Sequence, residues 1–197
     1  MNDRDLLQIH DDARKKNIPL MKDDGMDFLI HYIETHESIR DILEIGTAVG
    51  YSAIRMAEVR WDMNVDTVEV DPQMYEAAKL NVENAGLSDR VKCWLCDAAL
   101  FETDRIYDLI FIDAAKSQYR RYLEHFFRNS RIGTVFIFDN LEFHGIVDDN
   151  SLSQNRSTVQ MVHKIQKFRD HILKDERFET VYYKHIGDGI AAAVRIR

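Results

Sequence analysis

Asp41-Ile-Leu-Glu-Ile-Gly46-Thr-Ala-Val-Gly50-Tyr-Ser52 is the stretch that decides the fold. An apolar run of strand length enters a turn containing two glycines, and helix-forming residues follow at once. The same alternation continues downstream. Residues 65–70, 91–95, 107–112 and 134–138 are short apolar runs, whereas 52–59, 73–85 and 118–127 carry apolar residues at spacings of three and four. Helical crossovers between strands require the strands to run parallel. The runs at 107–112 and 134–138 are almost wholly apolar, as strands covered on both faces must be. At the ends, residues 3–16 and 25–36 read as amphipathic helices, giving an N-terminal helical cap over 1–36. A helix over 156–173 precedes two strands within 178–196, arranged around Gly187-Asp-Gly189. The expected architecture is a single α/β domain over 1–197: a mostly parallel, doubly wound, seven-stranded sheet with helices on both faces and a C-terminal antiparallel hairpin. The polar stretch 141–155 is long enough to form a lid loop.

Composition sets the outer bounds. With 45% apolar residues, two prolines and eight glycines, the 197-residue chain can bury a substantial core, which excludes collagen-like and disordered classes. Lysine and arginine number 26 against 34 acidic residues, a net charge of −8, which argues against coating nucleic acid by bulk attraction. No apolar run approaches the ~20 residues of a membrane span, the N-terminus is too polar for a secretory signal, and two cysteines suit a reducing compartment. A cytoplasmic protein is expected. Cys93 and Cys96 spell CxxC, but three residues apart along a strand they face opposite sides of the sheet, which removes a shared redox or zinc role.

The turn after the first strand lacks the third glycine of a dinucleotide fingerprint, and Glu44 would repel a pyrophosphate, so a nicotinamide enzyme is disfavoured. A cationic cofactor suits it better. S-adenosylmethionine carries a sulfonium and an ammonium that Glu44 could offset, directly or through water, and a carboxylate for Ser52 and backbone N–H groups beyond Gly46. Glu69 and Asp71 close the second strand on the same side. One can accept the ribose hydroxyls while the other caps the next helix, and Glu69 is assigned to the ribose. Asp97-Ala98, at the end of the third strand, could read the adenine edge.

The fourth and fifth strands end at Asp113 and at Asp139-Asn140. If they are neighbours, three hard oxygen donors meet, a set suited to Mg²⁺ or another divalent cation. Lys116 follows Asp113 by three residues, and beside a divalent cation its amine could serve as a base.

Together, Glu44–Ser52, Glu69-Val-Asp-Pro72, Asp97-Ala98, Phe111-Ile-Asp-Ala-Ala-Lys116 and Phe138-Asp-Asn140 resemble the cation-dependent O-methyltransferases of the catechol and caffeoyl-CoA type, within the Rossmann-like class I S-adenosylmethionine fold. The resemblance spans roughly residues 18–197. It implies that Asp113, Asp139 and Asn140 hold the metal, that Lys116 is the base, and that Met21, Ser52, Glu69, Asp97, Ala98 and Asp113 contact the cofactor. It also implies a homodimer. Within that family, Ile18-Pro-Leu-Met21, Ile112–Tyr119, Asp139–Gly145 and Gly187-Asp-Gly189 are most similar to bacterial tRNA 5-hydroxyuridine methyltransferases, which form 5-methoxyuridine at the wobble position.

A tRNA acceptor would need phosphate contacts, for which Arg14, Lys15, Lys16, Arg120, Arg121 and Arg156 are candidates, and a stacking ring, for which Tyr119, Phe143 or His144 are available. A small catechol or phenol shares the hydroxyl-beside-oxygen chemistry and is the alternative acceptor. A non-catalytic module that binds S-adenosylmethionine or RNA is a third reading, opposed by the complete set of Asp113, Lys116, Asp139 and Asn140.

Overall fold

The computed structural model describes residues 3–142 and 155–197. Most of the expected lid, including Phe143 and His144, lies outside the described residues. The sheet contains β1 (Asp41–Ile45), β2 (Asn64–Glu69), β3 (Val91–Leu95), β4 (Leu109–Ile112), β5 (Val135–Phe138), β6 (Phe178–Tyr183) and β7 (Ile190–Arg195), in the order β3-β2-β1-β4-β5-β7-β6. The first five are parallel, and β7 runs antiparallel to both β5 and β6, as expected.

Strict alternation along the central strands splits their side chains between two cores. Ile42, Leu109, Phe111, Val135 and Ile137 face α1 (Asp3–Lys15), α2 (Asp23–Thr35), α3 (Tyr51–Glu58) and α4 (Pro72–Asn84). Leu43, Ile45, Ile110, Ile112, Phe136 and Phe138 face α5 (Tyr119–Phe126) and α6 (Arg156–Ile172). Cys93 and Cys96 pack on opposite cores, as their spacing requires, and both are free thiols.

Element ends deviate where side chains compete for the backbone. β2 stops at Glu69 because the Glu69 carboxylate accepts from the N–H groups of Val70 and Asp71, taking Val70 off the ladder. β4 begins two residues later than expected: the Tyr107 N–H turns aside to Asn129 O, and its hydroxyl donates to buried Asp66. The hairpin connection spans 184–189 rather than a tight pair, because this turn also contacts the N-terminal cap and the end of β5. Gly187 N donates to Asp24, and Leu141 N donates to Gly189 O.

Pairing is in register across the centre. Val68, Ile45, Ile112 and Phe138 lie side by side, so the residues that follow them, Glu69, Gly46, Asp113 and Asp139, emerge together at the carboxyl edge. Gly46 has φ +101, and a Cβ there would lie 2.2 Å from the carbonyl oxygen of Asp113. Gly46→Ala should destabilise the chain by roughly 2–5 kcal/mol through backbone strain plus overpacking, read by urea denaturation.

Candidate active site

A cavity of about 650 Å³ opens along that edge. Its walls include Met21, Gly46, Ser52, Glu69, Asp97, Ala98, Asp113, Lys116 and Asn140, so nine residues singled out from the sequence meet in one space. The three strand-end acids play different parts. Glu69 is half-buried, and one carboxylate oxygen accepts from Ala48 N at 2.8 Å, tying the glycine turn to the end of β2. Asp71 caps α4, accepting from the N–H groups of Gln73 and Met74 at 2.7 and 3.2 Å. Both acids line the cavity, but Glu69 is the one bonded to the glycine turn, while Asp71 is engaged by the start of α4. Asp97 accepts from Ala99 N at 2.9 Å and opens a single 3₁₀ turn, with buried Ala98 next to it.

Glu44 differs from the expected arrangement. It is fully buried and does not line the cavity; its carboxylate instead accepts from Ser52 Oγ and, at 2.5 Å, from Thr67 Oγ1, which in turn meets Thr47 Oγ1 at 2.6 Å. The direct contact with a cationic cofactor gives way to a pin beneath the turn, joining β1, β2 and α3. Burial pushes this carboxyl up to about 8, against the lowering effect of the Ser52 and Thr67 hydrogen bonds. Thr47 and Thr67 were not singled out in the sequence. The available signal was the polar pair Asp66-Thr67 inside a strand otherwise buried on both faces.

Asp113 and Asp139 are adjacent at the ends of β4 and β5. Asp139 is almost wholly buried, and burial first, then the charge of Asp113, pushes its carboxyl up to about 8. Burial likewise raises Asp113, opposed by the nearby Lys116 ammonium. Asn140 adopts φ +64 and points its amide at Asp113 Oδ1 across 3.3 Å, while Tyr119 donates its hydroxyl to Asp139 O at 2.8 Å. Two adjacent carboxylates with one ammonium nearby offer hard oxygen donors, and the Asn140 amide, which here donates its N–H to Asp113, could add its oxygen by turning over, a set that fits a divalent cation. A second acidic group, Glu124, His171 and Asp175, fits one less well, because Arg177 already bridges Glu124 and Asp175 at 2.7 and 2.6 Å.

The residues proposed for RNA contact are less favourably placed. Tyr119 is fully buried, so it is a core residue and not a stacking platform. Arg14 forms a bidentate pair with Asp23 at 3.0 and 2.9 Å, and Lys15 pairs with Asp12 at 3.5 Å. Lys16 and Arg120 are exposed, Arg121 donates to Gln118, and the side chain of Arg156 is outside the described set. Among the described residues no helix is long and apolar enough to cross a membrane.

The raised Glu44 carboxyl ties stability to pH. A group that ionises at higher pH in the folded state stabilises fully below its unfolded value, and that contribution is lost as pH rises through about 8. Glu44→Gln should therefore shrink the fall in Tm between pH 6 and pH 9 by at least about 3 °C, measured by thermal denaturation without divalent cations.

Comparison with known proteins agrees with this geometry. The O-methyltransferase family model matches residues 5–196. A catechol O-methyltransferase of Niastella koreensis is 30% identical over 166 residues, covering 79% of this chain and 73% of that protein. The structure of an O-methyltransferase from Bacillus cereus in complex with S-adenosylhomocysteine aligns with TM-score 0.82 and 30% identity, covering 99% of this chain and 92% of that one. A Staphylococcus aureus structure with a provisional caffeoyl-CoA O-methyltransferase assignment aligns with TM-score 0.91 and 29% identity, covering 96% and 91%. The chain belongs to the O-methyltransferase family of S-adenosylmethionine-dependent enzymes.

Proposed function

We propose that this chain transfers the methyl group of S-adenosylmethionine, with the help of a divalent cation, to a hydroxyl that lies beside a second oxygen on its acceptor. We infer that the acceptor is 5-hydroxyuridine at the tRNA wobble position, giving 5-methoxyuridine. The observation that carries the chemistry is that Asp113, Lys116 and Asn140 line one cavity with Glu69, Asp97 and Ala98, while Asp139, buried just behind that wall, lies beside Asp113. The tRNA assignment is supported by the sequence likeness around Ile18–Met21 and Asp139–Gly145.

In this reading Glu69 accepts the ribose hydroxyls, the Asp97-Ala98 turn faces the adenine, and Ser52 with the turn's N–H groups receives the cofactor carboxylate. Asp113, Asp139 and the Asn140 amide oxygen would hold the cation, which would favour ionisation of the acceptor hydroxyl by stabilising its anion. Lys116 Nζ, on the same cavity wall as Asp113, is the group placed to take the hydroxyl proton. The acceptor oxygen then bonds to the methyl carbon as the carbon–sulfur bond breaks, with the electron pair leaving on sulfur. No covalent intermediate with the protein is needed. The site contributes orientation, holding acceptor and methyl donor in line.

The second reading, a small catechol acceptor, is favoured by the internal pairing of Arg14 and Lys15 and by the catechol O-methyltransferase of Niastella koreensis among the relatives. Incubation with S-adenosylmethionine, Mg²⁺ and either tRNA bearing 5-hydroxyuridine or catechol, with and without EDTA, separates the two. Mass spectrometry should find 5-methoxyuridine in the tRNA arm, abolished by EDTA. Methylation of catechol alone would transfer the assignment to the small acceptor, and turnover undiminished by EDTA would refute the cation.

A further inference from the structure

The Asp139-Asn140 turn is held in an uncommon conformation. A non-glycine residue at φ +64 persists where its surroundings over-determine it, and asparagine tolerates that region better than most residues. Upstream, the Tyr119 hydroxyl fixes the Asp139 carbonyl. Downstream, Leu141 N donates to Gly189 O at 2.8 Å and Glu142 N donates to Asp188 O at 2.7 Å, so the β6–β7 turn continues the ladder just past Asn140.

The Glu142 side chain then reaches inward. It is 6% exposed, and a single carboxylate oxygen, Oε1, accepts from both Arg169 Nη1 on α6 and the Tyr182 hydroxyl on β6. Arg169 also lies over the Tyr182 ring, 5.7 Å from its centroid. Burial, and then the hydrogen bond to Glu142, raises the Tyr182 phenol above its ordinary value, which keeps it a donor. The packing leaves no slack: a Cβ on Gly189 would fall 2.7 Å from Glu142 Cγ and 2.9 Å from the Tyr182 hydroxyl.

The same β6–β7 turn reaches the other half of the active site. Lys22 Nζ donates to Gly187 O and Asp188 Oδ1, both at 3.2 Å, and Gly187 N donates to Asp24 at 3.0 Å. Met21, next to Lys22, lines the cofactor cavity. A Cβ on Gly187 would come within 3.5 Å of Asp139 Oδ1, so this turn also backs the metal-ligand candidate itself.

We propose that Glu142, clamped by Arg169 and Tyr182, is a positioning residue that holds Asp139 and Asn140 facing Asp113, so that cation affinity depends on contacts remote from the cation. This rests on the cation-dependent reading above. Among the described residues Glu142 and Tyr182 make no hydrogen bond to Glu69, Asp97 or Ala98, and the Lys22 contacts come from Gly187 and Asp188 and not from the clamp, so the clamp should tune cation binding more than cofactor binding.

The test uses the full chain and Mn²⁺, with free Mn²⁺ read by electron paramagnetic resonance and S-adenosylhomocysteine affinity by calorimetry. Tyr182→Phe removes one hydroxyl and keeps the ring, so it should fold. Mn²⁺ binding should weaken about tenfold, the range found when groups supporting metal ligands are removed. S-adenosylhomocysteine affinity should stay unchanged. Arg169→Lys, which keeps the charge, should lose less Mn²⁺ affinity than Arg169→Met. Unchanged Mn²⁺ affinity in Tyr182→Phe and Arg169→Met, or parallel loss of both ligands, would reduce the clamp to a structural role and overturn the proposal. A wild-type chain that binds no Mn²⁺ would instead overturn the cation centre, and the proposal with it.

Discussion

In-register pairing of β2, β1, β4 and β5 is the constraint on which the rest depends. Parallel strands ending level deliver Glu69, Gly46, Asp113 and Asp139 to one edge without any of them lying near another in sequence. A slip of one residue would turn each strand's buried side chains to the opposite face and scatter the site. Two observations show how closely this edge is specified. Gly46 approaches the Asp113 carbonyl more closely than any side chain would allow, and the Asp113 N–H donates to Ile45 O at 3.0 Å.

The buried acids divide by how their charge is met. Asp66, on β2, is 2% exposed and receives Arg105 at 2.5 Å, the Tyr107 hydroxyl at 2.9 Å and Trp94 Nε1 at 2.9 Å, a fully satisfied arrangement with a structural purpose. Glu142 has an arginine and a phenol. Glu44 has hydroxyls alone, enough to fix its position but not to balance a charge, so its carboxyl rises. Asp113 and Asp139 face each other with one nearby ammonium, and both rise. Acids left this short of positive charge at the end of a cavity mark a functional site more clearly than their number does.

Much of this was legible in the sequence, because strand ends announce themselves. Short, nearly continuous apolar runs separated by helical segments gave the parallel strands, and the acids that close them gave Glu69, Asp97, Asp113 and Asp139. What could not be read depends on side chains that meet across long separations. Glu44 looked like a cofactor contact because its position beside the glycine turn is suggestive, but the direction of its side chain is decided by Thr67 on the neighbouring strand. Tyr119 stood as one of three candidate stacking rings; the helix turns it inward against Phe138 and Phe168. Arg14 and Lys15 looked like a basic entrance until the fold brought Asp23 to Arg14. The Glu142–Arg169–Tyr182 clamp spans forty residues of chain and has no local signature at all.

The most direct test of the paired-acid centre is anomalous diffraction at the manganese edge from crystals grown with Mn²⁺ and S-adenosylhomocysteine. A single manganese peak bounded by Asp113, Asp139 and Asn140, with the nucleoside against Glu69 and Asp97, is the expected result. An ordered nucleoside in the cavity with no manganese at those three residues would contradict it.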